Sequence, residues 1–350
     1  MQKRQSNYEL LRIVAMCMII AMHYLTKGMQ LPKLSVDSSV TNHMWWLLYA
    51  ACNVAVNVYV LITGYFLIDS EWRIGKIVYL ICEVLVYAWG VPLVLGAFGC
   101  IDLGALSFGE KLTILLPIEQ EHYWFATSYV MLYLLAPILS AAVKHMEEKQ
   151  LRITIIALVI MFGGLKSINP YLIPWDKYGY DVLWFICLFL TAGYIKLYGI
   201  KWFDTKLRSV GTYVAAVLAT WGIAAICGYI CRITGKLEYY MDMSYAYNYV
   251  TVYIASIALF YTFKHMENID SKIVNRLASY TFGVYLLHEN IEIRQMWPEW
   301  LGITHVDGGI LQVLHLIFCV VTVFAAGAVV DALRSGIFKA FMRLGDKRHE

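Results

Sequence analysis

Apolar residues in this chain come in long blocks and not in the strict alternation of a sheet. Ten blocks, at 8–26, 43–68, 77–98, 124–143, 152–166, 181–199, 211–231, 247–263, 277–293 and 309–333, are each bounded by charged or turn-rich stretches. Most run for about 17 to 25 residues, the length an α-helix rising about 1.5 Å per residue needs to cross a hydrocarbon core about 30 Å thick. A transmembrane barrel would alternate polar and apolar positions instead. The pattern predicts an all-α polytopic membrane helix bundle of about ten transmembrane helices.

The charges between the blocks orient it. With the N-terminus in the cytosol, 19 of the 28 basic residues fall on the cytosolic side and eight on the other, with Arg12 inside a span. That bias predicts both termini cytosolic. Residues 1–335 then form one transmembrane domain and 336–350 a short basic cytosolic tail. The longest polar stretches, near 27–42, 99–122 and 294–308, fall outside, where they could cover a cavity. The opening Lys3-Arg4 and the apolar run Ile13 to Leu25 imitate a secretory signal. The run carries Arg12 and His23 and lacks a small-x-small cleavage site, so it is expected to be retained as the first helix.

Composition agrees. With 60% hydrophobic residues, 15% charged and a mean hydropathy of +0.60, the chain of 350 residues has too little polar surface to coat a soluble globule. A net charge of +3 gives no argument for nucleic-acid binding. The eight cysteines show neither metal-ligand spacing nor a disulfide framework, so no metal is expected.

Ionisable groups inside spans are costly and mark functional sites. The candidates are Arg12, His23, Glu83 and His288. Arg12 and His23 are eleven residues apart, which leaves about 20° of rotation and about 16 Å of rise, so both project from one face of the first helix. That separation matches an extended pantetheine arm. Acyl transfer from a thioester needs a fixed cation for phosphates at one end and a base at the other. Arg grips phosphate bidentately, and imidazole moves protons near neutrality. The bland alternative is an Arg paired with Glu9 at i, i+3 and a His bonded between helices. Asn53 and Asn57, four apart, are expected to be interhelical glue, Glu83 to pair with Lys76, Trp124 and Phe125 to anchor at the interface, and Tyr285 to pack with Phe282.

The stretch Asn7-Tyr8-Glu9-Leu10-Leu11-Arg12, then ten residues, then His23 resembles the R-x10-H opening of the acyltransferase-3 family of multi-spanning membrane proteins. Further blocks agree in order: Thr63-Gly64-Tyr65-Phe66-Leu67 with a Ser-Gly-Tyr/Phe-Leu block, Arg73-Ile74-Gly75-Lys76 with R-x-x-R, Trp124-Phe125 with a Trp-Phe block, and Gly283-Val284-Tyr285-Leu286-Leu287-His288 with Gly-x-Tyr-Leu-x-His. Thr63 and Lys76 depart from the usual Ser and Arg.

The resemblance implies a membrane O-acyltransferase in a cell membrane, a bacterial plasma membrane being expected. Its donor would be cytosolic acyl-CoA, most commonly acetyl-CoA, with succinyl open. The acceptor would be a hydroxyl on an extracytoplasmic glycan or lipid-linked sugar. On this reading His23 is the catalytic base, an acyl-histidine route staying open; Arg12, Arg73 and Lys76 bind the CoA, and His288 and Trp124 meet substrate. The partners are then the acceptor and membrane lipid, with no nucleic acid and no protein partner specified. The rival is a glycan or lipid transporter or flippase, against which the lack of duplicated halves counts. A catalytically silent scaffold is the blandest reading, and an intact Arg12 and His23 argue against it.

Overall fold

Propensity and burial act together on these apolar blocks: in lipid every backbone amide must be satisfied within its own segment, so each block closes into a helix. The computed structural model describes residues 4–118, 122–170, 177–267, 269–306 and 308–346, with side chains to residue 340. Lys3, and Lys347 and Arg348 of the expected tail, lie outside the described residues. Every regular element among the described residues is helical.

The first helix, α1 (Ser6–His23), runs on through a π turn, Tyr24–Gly28. Next, α2 (Val40–Cys52) and α3 (Ala55–Leu67) make one span interrupted at Asn53 and Val54. They are followed by α4 (Ile74–Ala97), the short α5 (Phe108–Leu115) and α6 (Trp124–His145). Then α7 (Glu148–Val159) passes through a second π turn, Ile160–Gly164, into α8 (Leu165–Ile168), ahead of α9 (Val182–Leu197). The remainder comprises α10 (Lys206–Thr234), α11 (Glu238–Met243), α12 (Val250–Lys264), α13 (Lys272–Ala278), α14 (Thr281–His288), α15 (Ile293–Trp300) and α16 (Gly309–Asp346).

Seven helical stretches are long and apolar enough to cross a membrane, and α9 and α12 are shorter apolar helices. The stretch 277–293, expected as one span, is not continuous: α13 ends at Ala278, α14 begins at Thr281, and a turn follows His288. Apolar composition is blind to such a break, because it changes the path of the backbone without changing which residues are apolar.

The core gathers around α1, α3, α9 and α12, where Leu11, Ile20, Leu61, Phe189 and Phe260 are fully buried. Large apolar residues such as Leu207, Ile310 and Phe318 face outward, where lipid replaces water. Polar side chains tie the helices together. Asn53 Nδ2 donates to the Tyr245 carbonyl at 2.6 Å and Asn57 Nδ2 to the Tyr247 carbonyl at 2.8 Å, the glue expected of this pair. Glu83 does not reach Lys76. It takes Arg334 of α16 at 2.7 Å, and Arg334 also holds Asp331 at 2.7 Å. Tyr87 Oη donates to the same Asp331 carboxylate at 3.0 Å. This buried network exists because α14 lets α16 approach closely: a Cβ on Gly283 would lie 2.3 Å from Asp331, and one on Gly327 would lie 2.7 Å from the Val284 backbone. Local ion pairing along one helix loses here to a long-range partner that sequence spacing cannot reveal.

Candidate active site

Residues Arg12, Met16, Ile19, His23 and Thr26 follow helical spacing, and all line one cavity of about 560 Å³. Arg4 and Arg12 stand at its end near the start of α1. Lys27, Glu289 and Arg294 stand at the other. The two residues singled out by their spacing are thus on one wall of one chamber.

At the far end His23 meets the end of α14. His288 Nδ1 lies 2.6 Å from the Val284 carbonyl oxygen, which can only accept, so neutral His288 carries its proton there. Its Nε2 is then a bare acceptor, 3.2 Å from His23 Nδ1. A Glu289 carboxylate oxygen lies 3.2 Å from the same His23 Nδ1. Two acceptors on Nδ1 place the His23 proton on that nitrogen and leave Nε2 with its lone pair free. Nε2 has no protein partner among the described residues, and His23 lies on the cavity wall. A carboxylate on one nitrogen of an imidazole that lines a chamber, with the other nitrogen unpartnered, is the arrangement of an oriented general base.

The backbone after α14 keeps Glu289 in place. Its amide bonds the Tyr285 carbonyl at 3.0 Å. Asn290 donates to Tyr123 Oη at 2.8 Å and to the Tyr87 carbonyl at 3.3 Å. The Ile291 amide donates to His122 Nε2 at 3.3 Å. Burial pushes the His122 imidazole down to about 4, which keeps it neutral and able to accept. Lys27, carried by the π turn at the end of α1, pairs with the same Glu289 oxygen that faces His23. Single π turns inside α-helices recur at functional sites, and here the turn sets Lys27 beside the base.

Arg12 is paired with Glu9 at 3.3 Å as the bland reading expected, yet still lies on the cavity wall. Trp124 also lines the cavity. Its ring lies 4.5 Å from Tyr180 and 5.8 Å, nearly parallel, from Tyr247, while Tyr180 and Tyr247 are 4.6 Å apart. Tyr285 is buried and stacks on Phe282 at 6.1 Å, and both touch the cavity. Arg73 and Lys76 are not brought to it. Arg73 is exposed and paired with Glu71 at 2.6 Å, and Lys76 reaches only the Glu71 carbonyl, at 3.5 Å. The short turn before α4 holds both basic residues on Glu71 and away from the chamber.

Sequence reasoning passes over Glu289, Lys27 and Arg294. The signal for Glu289 was available, an acid directly after His288 within the stretch 277–293. No sequence signal marks Lys27, whose position depends on the π turn. His23, His288 and Glu289 offer ligand atoms within 4.8 Å of one another, close enough to surround a cation. The Lys27 ammonium already occupies the Glu289 oxygen, so a metal would have to displace a charge of the same sign.

A family model described as an acyltransferase domain, that of the acyltransferase 3 family, matches residues 5–331. The chain belongs to the acyltransferase 3 family. It is a multi-pass membrane acyltransferase, and the transporter and scaffold readings give way to an enzyme. No curated protein and no solved structure matches the chain. In this acyltransferase the matched region takes in the cavity wall from Arg12 and His23 on α1 to Glu289 and Arg294, with Arg4 just ahead of it.

Proposed function

We propose that this acyltransferase takes an acyl group, acetyl being the commonest such donor, from cytosolic acyl-CoA. It delivers the group to a hydroxyl of an extracytoplasmic glycan or lipid-linked sugar, in a bacterial plasma membrane. The observation that carries the reading is His23 with its Nδ1 on Glu289 and its Nε2 free, in a cavity that reaches back to Arg12. Arg12 holds the donor phosphates by charge-assisted hydrogen bonds, and the pantetheine arm runs along the α1 stripe to His23. Arg73 and Lys76, on the surface beside Glu71, are left with at most a steering role.

The acceptor hydroxyl gives its proton to His23 Nε2 as its oxygen attacks the thioester carbonyl carbon. Glu289 and the His288 Nε2 lone pair stabilise the resulting imidazolium through Nδ1–H. Collapse of the tetrahedral intermediate breaks the carbon–sulfur bond, and the departing thiolate takes the proton back from Nε2. The products are an ester and free CoA. Trp124, Tyr180 and Tyr247 supply flat apolar faces of the kind that stack on the C–H face of a sugar ring, which supports a glycan as acceptor.

The test measures CoA affinity by calorimetry in detergent alongside product formation with the host's surface glycans. His23→Ala should leave affinity near normal and lower transfer by about 10² to 10⁴. Arg12→Ala should weaken CoA binding, and Arg12→Lys should recover only part of it. Transfer at the parental rate by folded His23→Ala would sink the reading.

A further inference from the structure

A second cavity of about 450 Å³ opens beside the first, near the start of α1, and both share Arg4, Glu83, Ser279 and Phe282 as lining. Its walls come from the N-terminal segment, α4, α13, the break before α14, and α16. Five cations line it, Arg4, Lys272, Arg276, Arg334 and Lys339, against two carboxylates, Glu83 and Asp331. Both carboxylates are taken up by Arg334, at 2.7 Å each. That leaves four cations with no ion pair among the described residues. Arg4 donates to the Asn275 carbonyl at 2.9 Å and Arg276 to Tyr280 Oη at 3.2 Å, contacts that orient a guanidinium without neutralising it. So concentrated a positive field, in a half-open cavity, is a site for a compact anion of high charge.

We propose that this second cavity seats the 3′-phosphate of coenzyme A, with Lys272, Arg276, Lys339 and Arg4 as its partners. The inference rests on the acyl-CoA reading above and adds to it the part of the donor that is recognised. A phosphomonoester carries about −1.5 to −2 charges at neutral pH, so it draws on several cations at once, where the chamber adds near the start of α1 only Arg12 to the Arg4 that both cavities share. The shared lining at Arg4 and Ser279 lets one molecule lie with its nucleotide end here and its arm in the larger chamber. This acyltransferase therefore selects CoA over dephospho-CoA, and it does so through α13 and α16, not through the basic turn at Arg73 and Lys76.

The experiment titrates purified full-length protein, in a neutral detergent, with CoA, dephospho-CoA and adenosine 3′,5′-bisphosphate. The parent should bind CoA about ten- to a hundredfold tighter than dephospho-CoA, the worth of hydrogen bonds between charged partners. Lys272→Gln with Arg276→Gln should bring that ratio towards one, and so, to a smaller extent, should Lys339→Gln. These positions are exposed, so folding is not at risk. CoA and dephospho-CoA binding equally to the parent would overturn the inference while leaving the donor reading intact. No CoA binding at all would overturn the donor reading itself. A ratio near one, together with competition at Lys272 by vesicles of anionic phospholipid, would assign the cavity to lipid headgroups and also overturn it.

Discussion

Replacing Glu289 by Gln removes one charge and keeps the shape, so it isolates what the carboxylate does for His23. A full positive charge at Nδ1, 3.2 Å from a Glu289 oxygen, is worth about 5 kcal/mol at an effective dielectric of about 20. That is an upper bound. The imidazolium charge is spread over two nitrogens, and Lys27 draws on the same oxygen. Halving it leaves about 2.5 kcal/mol, or about 10² in rate, with a ceiling near 10⁴. The His288 Nε2 lone pair remains as a second acceptor for Nδ1–H, which favours the lower end of that range. We therefore expect Glu289→Gln to lower the transfer rate by about 10² to 10³ with CoA affinity little changed. The assay is single-turnover transfer from labelled acyl-CoA in proteoliposomes, with calorimetry for donor binding. A merely structural residue would add its loss to that of His23→Ala. A residue acting through His23 would not, so the double variant should be no slower than His23→Ala alone. Transfer by folded Glu289→Gln at the parental rate, or strict additivity with His23→Ala, would refute the reasoning.

Four further outcomes test the architecture. Cysteines introduced near Lys33, Gly109 and Lys236 should react with an impermeant thiol reagent in intact cells, and cysteines near Lys149, Lys206 and Lys347 should not; labelling of Lys347 from outside would mean an odd number of spans. Gly283→Ala should lower the thermal midpoint in detergent, because the new Cβ meets Asp331 at 2.3 Å where Tyr87 and Arg334 hold it, a strain of about 1–3 kcal/mol; an unchanged midpoint would count against the packing of α14 on α16. Arg334→Met strands Glu83 and Asp331 without a cation and should cost about 3–5 kcal/mol, read by the same melts, while Lys76→Met should cost almost nothing. His122, pushed down to about 4 by burial, is neutral when folded, so the unfolded chain binds the extra proton between about pH 6.5 and 4. Stability should therefore fall as the pH drops through that window, and His122→Gln should flatten the slope; a parental melt indifferent to pH across it would contradict this.

The sequence by itself determined the solvent, the class and one wall of the site. Hydrophobic block length is a direct consequence of bilayer thickness, so membrane spans are legible without any tertiary information. The stripe from Arg12 to His23 is equally legible, because both lie on one regular helix whose 3.6-residue period relates residue number to direction. Asn53 and Asn57 could be read as glue because four-residue spacing in an apolar block puts two polar groups on one side, and the interruption at Asn53 does not undo it. What sequence spacing could not supply is every relation between helices. Glu83 finds Arg334 and not Lys76, and His23 finds Glu289, because helix packing brings together residues some 250 positions apart and no local period records that. The break between α13 and α14 is invisible for a related reason: it redirects the backbone without altering the apolar pattern, and beyond it His288 meets His23 and Glu289 lines the end of the chamber. Arg73 and Lys76 show the converse. Their motif is plain in the sequence, but the turn that carries them faces Glu71 on the surface, and only the fold decides which basic residues, those of α13 and α16, surround a cavity.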